Sequence, residues 1–187
     1  VAVDGESEAV ADGVTFATIE VAGGRWLGIA GSPGSASEFE VGREFRSGGL
    51  VLSLCPLSHA NAERLRRIFA FAAPVPLAAG PFSVTFGVGD RLGVAGPGHI
   101  RAFRRYAASP VLAQQSVREL TLTSRTFEEV LDASTWSVFQ AGFRGPWGAD
   151  ADHLKTEDWV RRAVSIGYTM ITADVSDFIR AGHATSP

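Results

Sequence analysis

Asp152-His153-Leu154-Lys155 puts a carboxylate, an imidazole and an ammonium within one short stretch, the densest such constellation in the chain. A carboxylate can take a proton as general base, a neutral imidazole can hold a divalent ion, and a lysine can bind a substrate carboxylate. The plainer reading is a polar loop capping a helix that opens at Thr156. Neighbours on a strand point to opposite faces. Asp152 and His153 can therefore share a site only if the strand ends or bends between them. In a regular strand, Asp150 and Asp152 would share a face.

Other polar groups cluster where strands are expected to end: Asp90-Arg91, Gln114-Gln115-Ser116 with Arg118 and Glu119, and Asp174. In parallel α/β folds reactive groups gather at the carboxyl ends of strands. Arg91 and Arg118 have the right shape for a substrate carboxylate. Asp90-Arg91 and Arg118-Glu119 read equally well as structural ion pairs. Asp90, Arg91, Gln114, Arg118 and Lys155 are together the candidates for substrate binding.

Gly87-Val88-Gly89-Asp90-Arg91-Leu92-Gly93 follows a strand and superficially looks like a dinucleotide loop. Leu92 stands where the fingerprint wants glycine, Asp90 would repel a pyrophosphate, and the next helix begins too late to offer its N-terminus. No nicotinamide or flavin is expected, and a tight turn using glycine torsions is the alternative. His59 and His99 read as surface or first-turn residues. His183 lies in a Gly/Ala/Ser/Pro tail without a specific role. Cys55, the only cysteine, rules out an internal disulfide and reads as a small apolar residue in a buried strand.

The elements that must position these groups follow from periodicity. Val14–Val21 alternates as a strand, Gly23-Gly24 turns, and Arg25–Ala30 returns as its hairpin partner. Residues 31–37 read as a polar loop, residues 50–55 as a strand, and Ser58 as the N-cap of a helix carrying Leu65 and Ile68. From residue 82 strands alternate with helices. Strands are expected at 82–86, 110–114, 147–152 and 168–173, and helices at 99–106, after Thr126 with its capping-box partner Glu129, and after Thr156 up to Gly167. This alternation implies a parallel sheet with helices packed on it, and both a doubly wound sheet and a (β/α) barrel fit.

Composition narrows the function classes. Of 187 residues, 45% are hydrophobic and 20% charged, with a net charge of −3. No basic block could track a phosphate backbone, so nucleic acid is not an expected partner. No apolar run reaches membrane-spanning length, and the acidic start is unlike a signal segment. A cytoplasmic location is expected. The chain begins with Val and ends at Ser186-Pro187, and both ends read as cut, so a piece of a longer protein is expected.

Five stretches occurring in order over residues 80–175 resemble the tagaturonate epimerase family: Phe86–Gly93, Pro97–Ala102, Ala113–Leu120, Gly148–Thr156 and Gly167–Thr172. The resemblance implies a (β/α) TIM-type barrel, truncated here to its first half. Residues 80–187 would form the first four β/α units, after a small α+β region of hairpin, strand and helix at 1–79. It implies a bound divalent metal, zinc or similar, and interconversion of tagaturonate and fructuronate in hexuronate breakdown. Carried onto this chain, Asp152 matches the proton-accepting carboxylate and His153 the first metal ligand, with the remaining ligands and proton donor expected further on.

The two sugar acids differ at a carbinol carbon β to the ketone, whose hydrogen the carbonyl does not acidify. Retro-aldol cleavage and re-formation with the aldehyde turned can invert it. Two readings compete: a class II-type metal-dependent sugar aldolase, and an inactive half-barrel. A catalytic zinc usually needs three protein ligands, so this chain alone is expected to bind metal weakly and turn nothing over. A sheet left open after the fourth strand would expose an unpaired edge and invite self-association.

Overall fold

A computed structural model describes residues 2–77 and 84–179. The expected strand at 82–86, the domain boundary at 79/80 and His183 fall wholly or partly outside them.

The chain opens with five antiparallel strands: β1 (Ala2–Ala11), β2 (Val14–Val21), β3 (Gly24–Gly31), β4 (Arg43–Ser47) and β5 (Leu50–Cys55). Their spatial order is β1-β2-β3-β5-β4. The expected strands are present at β2, β3 and β5, and β1 and β4 are additions. Both are edge strands joined to their partners by two-residue turns in left-handed conformation, Asp12 and Gly13 (φ 49° and 76°) and Gly48 and Gly49 (φ 55° and 85°). Such turns match the twist of paired strands. Helix α1 (His59–Ile68) follows, its N-cap Ser58 accepting from the Asn61 amide as expected.

One sheet face, with Phe16, Leu27, Ile29 and Cys55, packs on Leu65, Phe69 and Phe139. Phe139 comes from helix α4 (Phe127–Gln140) of the following region, so the two regions share one core. Asp132 of α4 ties them again, accepting from Arg66 at 2.8 Å and pairing with His59 Nδ1 at 2.8 Å. Burial pushes the Asp132 carboxyl up, against the opposing pull of Arg66 and His59. Burial, helped by Glu44, pushes the Cys55 thiol up to about 11.

The second region is strand β6 (Thr85–Gly89), helix α2 (Gly96–Phe103), strand β7 (Ser109–Ser116), helices α3 (Val117–Thr123) and α4, strand β8 (Gly148–Leu154), helix α5 (Glu157–Ile166) and strand β9 (Met170–Ala173). The four strands are parallel and lie in chain order, β6-β7-β8-β9. A doubly wound sheet reverses its order at a switch point. An order that only advances is that of a (β/α) barrel wall, of which this is an arc of about half. Ala149, Ala151 and Leu154 of β8 pack against Leu120, Phe127, Leu131 and Ala163 of the helices. Trp147, wholly buried, donates to the Phe71 carbonyl at 2.9 Å and pins the start of β8 to the first region.

The glycine loop takes a different form from the expected tight turn. Gly87 and Gly89 lie inside β6, and of the three glycines only Gly93 has a positive φ, 71°. Helix α3 is also new. Ser116 accepts from the Glu119 amide and Glu119 returns to the Ser116 amide, a capping box where an open strand end was expected.

Candidate active site

Two bulges shape the carboxyl ends of the parallel strands. Ala113 in β7 and His153 in β8 both have φ 55°, the left-handed region that side chains with a Cβ avoid. The pairing register breaks at the same places, between Leu112 and Gln115 and between Ala151 and Leu154. An extra residue in a strand re-aims the side chains beyond it. In β8 the consequence is direct: Ala151 and Leu154 both face the helices, so Asp152 and the bulged His153 are left to the other side. The bend required for Asp152 and His153 to share a site lies at His153 itself.

Both residues line an open cleft of about 1110 Å³, with Arg91, Ser116, Arg118, Glu119, Lys155 and Asp174. His153 Nε2 lies 3.7 Å from Asp152 Oδ1, and its Nδ1 lies 4.0 Å from Asp174 Oδ2. The imidazole is 58% exposed and Asp152 17%. Burial raises the Asp152 carboxyl above the usual range. His153 opposes the rise, and the carboxylates of Asp150 and Glu119 add to it. A partly desolvated carboxylate is a stronger base than an exposed one.

The remaining candidates divide. Asp90 lies beside the cleft, but its carboxylate accepts from four backbone amides, those of Gly93, Val94, Ala95 and Gly96, at 2.7–3.1 Å. It shapes the turn into α2, and its lone pairs are occupied there. Nor does it pair with Arg91, whose guanidinium goes to Glu119. Burial raises the Glu119 carboxyl, yet the hydrogen bonds from Arg91 and Ser116 prevail and hold it below the usual range. Arg118 is exposed on the cleft wall and has no ion-pair partner among the described residues. Lys155 hydrogen-bonds both Asp177 oxygens, at 2.9 and 3.0 Å, and sits 3.7 Å from Asp174, so it is already held in ion pairs. Those contacts, the Asp177 hydrogen bonds foremost, raise its pKa. A hydrogen bond from Ser176 lowers that of Asp174, with Lys155 and His153 adding.

Gln114 faces the cleft side and donates to Asp150 at 3.1 Å, while Gln115 faces the helices and bonds Thr123 and Arg125. Asp150 shares its face with Asp152, as regular alternation requires, and lies wholly buried. Thr172 of β9 donates to it at 2.8 Å. Thr172 was not among the sequence candidates. Its signal was position, two residues before Asp174 and so on the same strand face.

For a divalent metal the donor chemistry fits in part. An exposed imidazole next to carboxylates suits zinc and its neighbours. Among the described residues, however, no three His, Cys, Asp or Glu side chains converge as a ligand set. His153 has a carboxylate on either side, Asp152 at 3.7 Å and Asp174 at 4.0 Å.

Comparison with known proteins identifies relatives of this chain. The tagaturonate epimerase family profile matches residues 12–186. A tagaturonate/fructuronate epimerase of Thermotoga maritima is 40% identical over 171 residues, covering 90% of this chain and 34% of the relative. The native crystal structure of the fructuronate-tagaturonate epimerase UxaE from Cohnella laeviribosi superposes with a TM-score of 0.86 at 41% identity, covering 99% of this chain and 37% of that one. A glycerol complex of the same enzyme gives 0.85 at 40% identity, covering 98% of this chain and 37% of that one. The chain thus spans about a third of the length of the relatives it matches. With the profile covering nearly its whole length, this chain belongs to the tagaturonate epimerase family.

Proposed function

We propose that the full gene product containing this chain interconverts tagaturonate and fructuronate by retro-aldol cleavage and re-addition, with Asp152 as the base and His153 as a metal ligand. The observation that carries this reading is the bulge at His153, which brings the two side chains into one cleft at the strand ends. Asp152 takes the proton from the hydroxyl on the carbon to be inverted. That oxygen becomes an aldehyde as the bond to the neighbouring carbon breaks, and the electron pair moves into an enediolate. The aldehyde turns and the bond re-forms on its other face, Asp152 returning the proton. Arg118, uncommitted on the cleft wall, holds the substrate carboxylate. A divalent ion held by His153 would supply Lewis-acid polarisation of the substrate carbonyl. Arg91 and Lys155 contribute positive charge at the rim while paired to carboxylates.

A cytoplasmic location belongs to the same reading. It rests on the single thiol buried in the N-terminal core, and among the described residues no helix is long and apolar enough to cross a membrane. Self-association is proposed for the 187-residue chain by itself: β9 has a strand partner on one side only among the described residues, and Met170 on it is 46% exposed.

Running the reaction of the full gene product in D2O tests the mechanism by proton and carbon NMR. Cleavage and re-addition keep the original hydrogen on the inverted carbon. Deuterium arriving there would sink the proposal, as would an Asp152→Asn protein that still epimerises at the parent rate.

A further inference from the structure

Asp150 is a wholly buried carboxylate with no countercharge among the described residues. Its partners are neutral: Thr172 Oγ1 donates to Oδ1 at 3.0 Å and Oδ2 at 2.8 Å, and Gln114 Nε2 donates to Oδ2 at 3.1 Å. A buried carboxylate is costly unless it is hydrogen-bonded, and here Gln114 and Thr172 supply those bonds. Because Gln114 donates through Nε2 to Asp150 Oδ2, its NH2 group is turned inward and its carbonyl away. Gln114 Oε1 receives no hydrogen bond among the described residues and is not a buried atom. Gln114 and Gly89 line a neighbouring hollow of about 540 Å³, which shares Arg91, Glu119 and Asp152 with the cleft. Gly87 backs the amide closely, since a Cβ there would stand 2.8 Å from Oε1 and 2.9 Å from Nε2.

We propose that Asp150 is a positioning residue that sets specificity. By locking the Gln114 amide it presents a pure hydrogen-bond acceptor to the hollow that adjoins the cleft. A hydroxyl of the sugar acid then lies against β7, and the substrate's carboxylate and ketone, themselves acceptors, are excluded from that position. The substrate is thereby oriented with its carboxylate away from Gln114, on the side of Arg118. This inference rests on the sugar-acid reading above and adds an orientation to it.

Asp150→Asn tests it, because asparagine has the same shape and still accepts from Thr172. Its Nδ2 would donate to Gln114 Oε1, turning the amide so that the hollow meets a donor instead. The measurement is calorimetric affinity of the full gene product for the parent hexuronate and for a set of its monodeoxyfluoro analogues. Fluorine accepts weakly and cannot donate. In the unaltered protein one analogue should bind about tenfold or more weakly than the parent. Asp150→Asn should shrink or invert that penalty for the same analogue. Gln114→Met, which removes the acceptor and adds no donor, should abolish the penalty and leave no preference, and it decides the matter if Asp150→Asn fails to fold. An unchanged ranking of analogues in the folded variants overturns the inference while the sugar-acid reading stands. If the parent hexuronate does not bind the unaltered protein, the sugar-acid reading fails instead. The inference is then judged by the Gln114 side-chain amide NMR signals of the 187-residue chain. A shift in Asp150→Asn supports the lock, and no shift refutes it.

Discussion

At the ends of β6 and β7 the chain consumes most of its own carboxylates and amides, while at the end of β8 it leaves a carboxylate and an imidazole to the cleft. Asp90 gives both oxygens to backbone amides, Glu119 divides itself between the Ser116 amide and Arg91, and Gln115 is held by Thr123 and Arg125. Asp152 and His153 lie in an equally polar stretch, but neither caps a helix: Thr156 does that for α5. The difference lies in the distance from strand end to helix start. In β7 the helix begins directly after Ser116, so the residues there become its cap. In β8 Lys155 and Thr156 intervene, which frees the bulge for the cleft. A polar residue at a strand end is available for chemistry only when the following helix does not need it.

The largest test of that contrast is Asp152→Asn in the full gene product. Epimerisation should fall by about 10²- to 10⁴-fold, the usual worth of a general base, with the melting temperature nearly unchanged. His153→Ala should retain the fold and lose bound divalent metal, read by elemental analysis after gel filtration; metal retained in full would remove His153 from the ligand set. Asp90→Ala should do the reverse of Asp152→Asn. Stranding four amides costs about 1–3 kcal/mol, which lowers the melting temperature by roughly 3–10 °C for a domain of this size, while hexuronate affinity of the folded protein holds. Cys55, buried in the N-terminal core, gives a second readout. Its thiol should stay silent toward aromatic disulfides at pH 8 in both variants and react only once that core opens.

The contrast also explains what could be read beforehand. Strands β2, β3 and β5 and helices α1, α4 and α5 announce themselves because one face of each is buried, so hydrophobic periodicity survives in the sequence, and Ser58, Thr126 and Thr156 mark the helix starts. Edge strands β1 and β4 bury little: every residue of Arg43–Ser47 is exposed. Their signal was the turn residues, Asp12-Gly13 and Gly48-Gly49, rather than the strands. Helix α3 was legible in Ser116 and Glu119 at capping-box spacing. The bulges were not, because a left-handed alanine or histidine contradicts its own preference and arises only from packing on neighbouring strands. Asp152 and His153 could therefore be named as a pair from their chemistry, while the geometry that joins them depended on the assembled sheet.

The smallest expected effects sharpen the comparison most, because Arg91 and Arg118 border the same cleft and differ in one respect. Arg118 has no ion-pair partner among the described residues, whereas Arg91 is bound to Glu119 and is 73% exposed. If commitment to the chain's own groups decides availability, Arg118→Gln should raise KM for the hexuronate about tenfold, the scale of a lost charge-assisted hydrogen bond, with kcat and melting temperature held. Arg91→Gln should change KM by less than about twofold and stability by no more than about 1 kcal/mol, as exposed ion pairs do. Equal effects on KM would mean that Glu119 releases Arg91 when substrate arrives. Glu119→Gln distinguishes that outcome: it frees Arg91 permanently, so it should lower KM if Arg91 can be recruited and leave KM unchanged if Arg118 is the clamp.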